Sequence, residues 1–387
     1  MLLSPRAGIK KQTLEQYPES TELFSGLESA FAADKVQVTT IHQIGIWYQE
    51  SKPFAQPLLV IVDEFHTLFA ENCFASPLLY FQQQLEEWVN DPRVIVIALT
   101  ATAKLPLEHI ESGFVFKRIS EDTEPQYKAE TITIEQSKSL ETILRQCPAT
   151  QENKQLVFVR GSVERLIRLA AADDCASWLC SKSSNTRING VRASSLMNQD
   201  HYQTFLDGRF PDGVNRMFLT SAFREGINIT DADAQEIIIE GCTDIEIIQA
   251  FGRVRHDTKR LIVVIDKRKF GGFYDNIEGA KLLLETGDLE EYFERQLEQD
   301  QESFEGDKIP ILTFWDYQKN ELRFNSFALS YWIYEQDCYR KAINSPENSY
   351  FREMLGNYSK KPILYDSFNY VRPSNQRENE KRLIIFD

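Results

Sequence analysis

Short β-rich apolar runs alternate with segments of helical period along most of this 387-residue chain, and that alternation is what most restricts its fold. PLLVIV (57–62) and VIVIAL (94–99) are runs of the first kind. Between them, PLLYFQQQLEEWV (77–89) sets Leu78, Leu79, Phe81, Leu85, Trp88 and Val89 at helical spacing. Two buried parallel strands with a crossover helix follow from this order. A second series runs QLVFV (155–159), a helix from Ser162 to about Ala172, RMFLT (216–220), EIIIEG (236–241), helix DIEIIQAF (244–251) and RLIVVID (260–266). The chain therefore reads as two α/β halves in tandem, a length that suits two or three domains.

Composition narrows the partners. The net charge is −15, but residues 1–150 hold 12 basic and 20 acidic side chains while 151–270 hold 17 and 16. Affinity for a polyanion comes mainly from Lys and Arg, so any nucleic-acid contact must use local basic surface, and the middle of the chain is where to look. No apolar run approaches the ~20 residues that cross a bilayer. Ser4 and Pro5 break the apolar start, which leaves no secretory signal pattern. The six cysteines are scattered with neither C-x-x-C nor zinc-finger spacing, which suits a reduced cytoplasmic setting. Residues 126–150, polar apart from one strand AETITIEQ (129–136), read as a connection. Beyond 270, residues 282–307 are acidic and read as a solvated helix and loop. Residues 311–357 place Phe327, Leu329, Trp332, Tyr334 and Tyr339 at helical spacing, either as core packing or as a base-stacking surface.

The strongest chemical signal is LLVIVDEFHTLF, where Asp63, Glu64 and His66 directly follow a buried strand. Ligands of open α/β sheets bind outside the carboxyl ends of the strands. An acidic pair there suits Mg²⁺, one carboxylate holding the hydrated ion while the other orients or deprotonates an attacking water. The plainer alternative is a strand that ends in polar residues. The next strand ends in LTATA, with Thr100 and Thr102 at the same edge. In the second half, FLTSAFREGINIT offers Thr220 at a strand end, Arg224, and Gly226 where a tight turn needs its freedom. DIEIIQAFGRVRH then sets Gln249, Gly252, Arg253 and Arg255 at a helix end, either as a solvated terminus or as a finger for a γ-phosphate.

Taken in order, these pieces resemble the superfamily 2 helicases and translocases of DEAD/DEAH type along roughly residues 1 to 270. LLSPRAGIKKQ (2–12) is similar to motif Ia, VQVTTIHQIG (36–45) to Ib, VDEFH to II, TAT to III, LVFVRGS (156–162) to IV, TSAFREGINI (220–229) to V and QAFGRVRH (249–256) to VI. The resemblance implies two tandem RecA-like α/β domains of P-loop-NTPase type with parallel sheets, the first incomplete; the residues beyond 270 read as a mainly helical C-terminal module. The corresponding divisions are 1–125, 126–150, 151–270 and 271–387. It implies ATP and Mg²⁺ as cofactors, with Asp63 on the metal, Glu64 as catalytic base, His66 coupling nucleotide to the second domain, and Gln249 and Arg253 sensing the γ-phosphate. Thr100, Thr102, Gly226 and Asn228 fall where the family borders its nucleotide. Pro5, Arg6, Thr39, Thr40, Arg160 and Thr220 fall where it grips one strand of DNA or RNA by its phosphates, a contact that positions without reading sequence.

Two departures qualify the match. The second arginine of motif VI is displaced: His256 stands in its place and Arg255 comes one residue early, so either Arg253 or Arg255 is the finger. No G-x-x-x-x-G-K-[ST] occurs in the 387 residues. Without that cradle the triphosphate lacks its backbone N–H groups, its Lys and one Mg²⁺ ligand, and phosphoryl transfer depends on such positioning. The expectation is an ATP-dependent helicase scaffold, truncated and with impaired ATP binding, whose first sheet exposes an apolar edge. The alternatives are a non-catalytic nucleic-acid-binding remnant and an unrelated α/β metal-dependent hydrolase.

Overall fold

The computed structural model describes residues 1–5, 7–22, 36–52, 59–71, 76–102, 105, 125–182, 184, 186–224, 227–265, 277–288, 313–316, 321–344, 349–368 and 381–385. The chain divides into two units, Met1–Ile119 with Gly272–Asp337, and Ser120–Gly271 with Cys338–Asp387.

The first unit holds a five-stranded parallel sheet built from β1 (Leu2–Ser4), β2 (Thr21–Glu22), β3 (Gln37–Thr40), β4 (Leu59–Val62) and β5 (Ile95–Ala98). Its order is β2-β3-β1-β4-β5. β1 occupies the middle because Leu2 and Leu3 pair in parallel with Val38 and Thr39 on one side and with Ile61 and Val62 on the other. The helices are α1 (Ala7–Gln16), α2 (Ile41–Gln49), α3 (Thr67–Ala70) and α4 (Ser76–Asn90). Thr40 starts α2 by accepting the Gln43 N–H at 3.1 Å, a Thr N-cap. α4 buries Leu78, Phe81, Leu85 and Trp88, one stripe at i, i+3, i+7 and i+10. It meets α2 so closely that a Cβ on Gly45 would lie 1.8 Å from the Pro77 carbonyl oxygen, so only glycine fits.

The second unit holds an eight-stranded sheet of order β17-β16-β6-β13-β12-β7-β11-β8. Its first members are β6 (Ala129–Glu135), β7 (Lys154–Phe158), β8 (Ala176–Leu179), β11 (Arg216–Leu219), β12 (Ala234–Glu240) and β13 (Thr258–Val264), with a small separate hairpin of β9 (Arg187–Ile188) and β10 (Val191–Arg192). Every pairing in the large sheet is parallel except β16 with β17. Helices α5 (Leu140–Gln146), α6 (Val163–Ala170), α7 (Ala193–Leu196), α8 (Gln199–Leu206) and α9 (Asp244–Phe251) accompany it. Leu140, Ile143, Val157, Leu166, Phe218, Ile238 and Ile262 form one buried cluster on a sheet face. The mixed α/β class with parallel sheets is thus as expected. Residues 126–150, expected as a connection, instead supply β6 and α5 to this unit: β6 pairs with β13 in register Leu261↔Ile132 and Val263↔Ile134, which buries both isoleucines.

The remainder carries α10 (Ile277–Thr286), an antiparallel hairpin of β14 (Thr313–Asp316) and β15 (Glu321–Phe324), α11 (Ser326–Asn344), α12 (Ser349–Leu355), β16 (Leu364–Phe368) and β17 (Lys381–Ile385). Of the aromatic stripe, Trp332, Tyr334 and Tyr339 are buried, and Phe327 packs on Phe69 within the first unit with ring centroids 4.5 Å apart. Core packing, not base stacking, accounts for these side chains. No helix among the described residues is long and apolar enough to cross a membrane.

Candidate functional site

Because the strands of the first sheet are parallel, β1, β3, β4 and β5 deliver their following residues to one edge. Asp63 and Glu64 leave β4 there, and the Asp63 N–H is held by the Leu3 carbonyl at 2.9 Å. The Asp63 carboxylate turns back to accept the Glu64 N–H at 3.0 Å. Glu64 sits at φ +48, in the left-handed region that L side chains seldom adopt. Such strain persists only where neighbouring contacts enforce it. Here the Phe65 N–H, bonded to the Leu99 carbonyl at 2.9 Å, pulls the turn toward β5. The turn drives His66 fully inside, where its Nδ1 lies 3.0 Å from the Thr100 hydroxyl and 3.5 Å from the Glu64 carboxylate. Thr100 in turn accepts the Thr102 N–H at 3.1 Å. Asp63, Glu64, His66, Thr100 and Thr102 therefore form one chain of contacts across the ends of β4 and β5.

Pro5 follows β1 at the same edge and is buried. Thr39 is buried too, and the Thr40 hydroxyl is occupied as the α2 cap, which leaves its own proton to donate. Arg6 lies outside the described residues, as do Gly226 and Cys73.

The second unit assembles a different edge. Arg160 follows β7 and Thr220 follows β11. The Thr220 hydroxyl is buried without a hydrogen-bond partner among the described residues. Behind these lie two carboxylates that sequence reading missed. Glu240, ending β12, accepts the Arg160 N–H at 3.0 Å and grips the Arg165 guanidinium with both oxygens, the nearer pair being Arg165 Nη1 with Oε2. Glu246 is 2% exposed and closes a capping box with Thr243. Its carboxylate takes the Cys242 N–H at 2.8 Å and the Thr243 N–H at 3.2 Å, and faces Arg224 at 3.3 Å. A Cβ on Gly241 would fall 2.7 Å from that carboxylate. Burial alone would raise the Glu246 pKa, but the charges of Arg160 and Arg224 with the two N–H groups outweigh it and hold the carboxyl below its ordinary value. The T-x-x-E spacing at 243–246 was the sequence signal for it.

At the end of α9, Arg253 folds back on its own helix: Nε donates to the Gln249 carbonyl at 3.0 Å and Nη2 to the Gln249 side-chain oxygen at 3.1 Å. Arg255 is exposed and donates to the Asn228 side chain at 2.8 Å. His256 lies 3.1 Å from the Ala234 carbonyl. The structure thus joins Gln249 to Arg253 and Arg255 to Asn228.

Tested against ATP and Mg²⁺, the donors fit in part. Asp63 is the kind of strand-end carboxylate that holds a hydrated Mg²⁺ also bound by phosphate oxygens. The described residues contain no group of three or more His, Cys, Asp or Glu able to hold a metal by themselves. No described glycine-rich turn with a following Lys stands at the first sheet's edge, so the residues present do not furnish a triphosphate cradle.

No protein-family model matches the sequence, and neither does any curated protein. Solved structures similar to it include S. cerevisiae Dbp5 bound to RNA and ADP BeF3, with 10% identity and TM-score 0.45 over 69% of this chain and 71% of that one. Mycobacterium smegmatis helicase Lhr bound to ssDNA and AMP-PNP shows 15% identity and TM-score 0.41 over 74% of this chain and 42% of that one. The DUF1998 helicase MrfA bound to DNA shows 12% identity and TM-score 0.42 over 69% and 40%.

Proposed function

We propose that this chain is a helicase-type scaffold that holds a single strand of DNA or RNA by its phosphates and has little nucleotide hydrolysis of its own. The observation that carries the reading is the contact chain from Glu64 through His66 to Thr100, which links the stretches similar to motifs II and III at a strand edge. A polar strand end without function gives no reason for a strained Glu64 beside a buried histidine. In the second unit, Thr220, Arg160 and the Gln249–Arg253 pair supply the corresponding phosphate-facing groups. Asp63 and Glu64 are the metal and base positions, but the missing cradle keeps the isolated chain from efficient ATP chemistry.

The test pairs two measurements on the full chain. Fluorescence anisotropy with labelled dT20 and rU20 should show binding that weakens steeply with salt. Phosphate release from ATP and Mg²⁺, with and without oligonucleotide, should stay at the level of the Glu64→Gln variant. Strand-stimulated ATPase would overturn the weak-hydrolysis half. Absence of binding at low salt would overturn the scaffold half, and hydrolysis of a small substrate lost in Glu64→Gln but kept in Arg253→Ala would point to the unrelated metal hydrolase.

A further inference from the structure

β8 ends at Leu179, whose carbonyl accepts the Thr220 N–H at 3.3 Å, so the chain leaving β8 starts beside Thr220 at the second sheet's edge. It carries Lys182 and then the β9–β10 hairpin. Ile188-Asn189-Gly190-Val191 makes a tight turn with φ +50 at Asn189 and +82 at Gly190, the two left-handed positions that a type I′ turn needs. A hairpin closed this way is a preformed projection rather than a slack loop.

Its charge is one-sided. In a chain of net charge −15, no acidic residue occurs between Asp174 and Asp200, while Lys182, Arg187 and Arg192 all do. Arg187 and Arg192 are direct cross-strand partners, and like charges set opposite each other are destabilising. Both are exposed and neither forms an ion pair among the described residues; the Arg187 guanidinium donates to the Gly190 carbonyl at 2.8 Å. The Lys182 ammonium lies over the Tyr202 ring, 4.2 Å from its centroid, which holds the charge in place at an exposed position. An arrangement that costs stability and meets no carboxylate among the described residues fits an external anion.

We propose that this hairpin is a second phosphate clamp, in which Lys182, Arg187 and Arg192 grip consecutive phosphates of a single strand whose neighbouring stretch is held at Thr220 and Arg160. The inference rests on the nucleic-acid reading above and extends it to residues that no helicase-like stretch contains. An acidic protein partner is the poorer fit. The hairpin strands are only two residues each, too short to template an added strand, and they carry no aromatic anchor of the kind that dominates protein interfaces.

The experiment compares wild type, Arg187→Gln/Arg192→Gln and Arg187→Glu/Arg192→Glu on dT20 across a salt series, with circular dichroism confirming that each variant stays folded. Loss of two phosphate contacts should lower the salt slope by about 1.4, at about 0.7 per contact on a single strand, and weaken binding at low salt roughly tenfold, more for the Glu pair. Lys182→Gln should lower the slope by about half as much. Wild-type binding with unchanged slopes in all three variants overturns the clamp and leaves the scaffold standing. No wild-type binding at low salt overturns both. Arginine-dependent binding of polyglutamate without any binding of dT20 overturns the clamp in favour of an acidic protein.

Discussion

β5 and β12 are both isoleucine-rich parallel strands, yet they live in opposite environments. Ile237, Ile238 and Ile239 of β12 are 0% exposed, whereas Ile95 and Ile97 of β5 are 63% and 41% exposed. The difference lies in neighbours. β12 is paired on both sides, by β13 and β7, and sits in a sheet with helices packed against it. β5 pairs only with β4 among the described strands. Intrinsic preference makes each run a strand, and sheet position alone decides what burying it contributes. The first unit therefore presents the exposed apolar edge that its sequence led us to expect, but at β5, while β1 fills the middle of the sheet.

A pair of identical substitutions tests that contrast most severely. Ile238→Lys puts an unpaired ammonium in a sealed core and should cost more than about 4 kcal/mol, enough to unfold the second unit. Ile95→Lys should stay within about 0.5 kcal/mol, as surface changes do. Hydrogen exchange of β12 and β4 amides reads the two units separately. A large loss from Ile95→Lys would mean that β5 is covered after all, and the contrast would collapse.

The acidic side chains at the two edges differ in the same sense. Glu246 is sealed between arginines and N–H groups, while Glu64 keeps 18% of its side chain exposed. Glu246→Leu leaves the buried Arg224 guanidinium without its carboxylate and should cost about 3–5 kcal/mol. Since the folded-state pKa of Glu246 lies below its ordinary 4.5, its carboxylate stabilises the second unit fully above that pH, and the contribution disappears as pH falls through the depressed value. Urea unfolding followed at β12 should therefore lose stability below pH 4.5 in wild type and show a shallower acid slope in Glu246→Gln. Equal slopes would remove the charge network from the account.

What could be read in advance followed from local order. α9 was legible at 244–251 because an apolar stripe and a Thr N-cap define it within its own residues. Asp63, Glu64, His66, Thr100 and Thr102 were legible because two strong β-runs end just before them, and parallel strands bring such ends together. The place of β6 was not. Its partner β13 lies more than a hundred residues further on, and nothing within 126–150 records that pairing. Glu240 stayed hidden for a similar reason, since its Arg165 partner lies 75 residues earlier in the chain, whereas Glu246 had only the local Thr243-x-x-Glu246 spacing to mark it. The hairpin was missed despite Asn189-Gly190, the strongest short-range signal for one, because two-residue strands leave no apolar alternation to notice.

The smallest effect bears most directly on function. If the left-handed turn at Glu64 exists to aim a carboxylate, the residue is stored strain, and one better suited to φ +48 should relieve it. Asparagine tolerates that region with little change in side-chain bulk. Glu64→Asn should therefore raise first-unit stability by about 0.5–1 kcal/mol, seen as slower exchange of β4 amides, while β12 amides stay unchanged. A neutral or destabilising result would show that the Glu64 contact with His66 contributes at least as much as the backbone loses, which would make the acidic turn a structural device like Glu246 rather than its functional opposite.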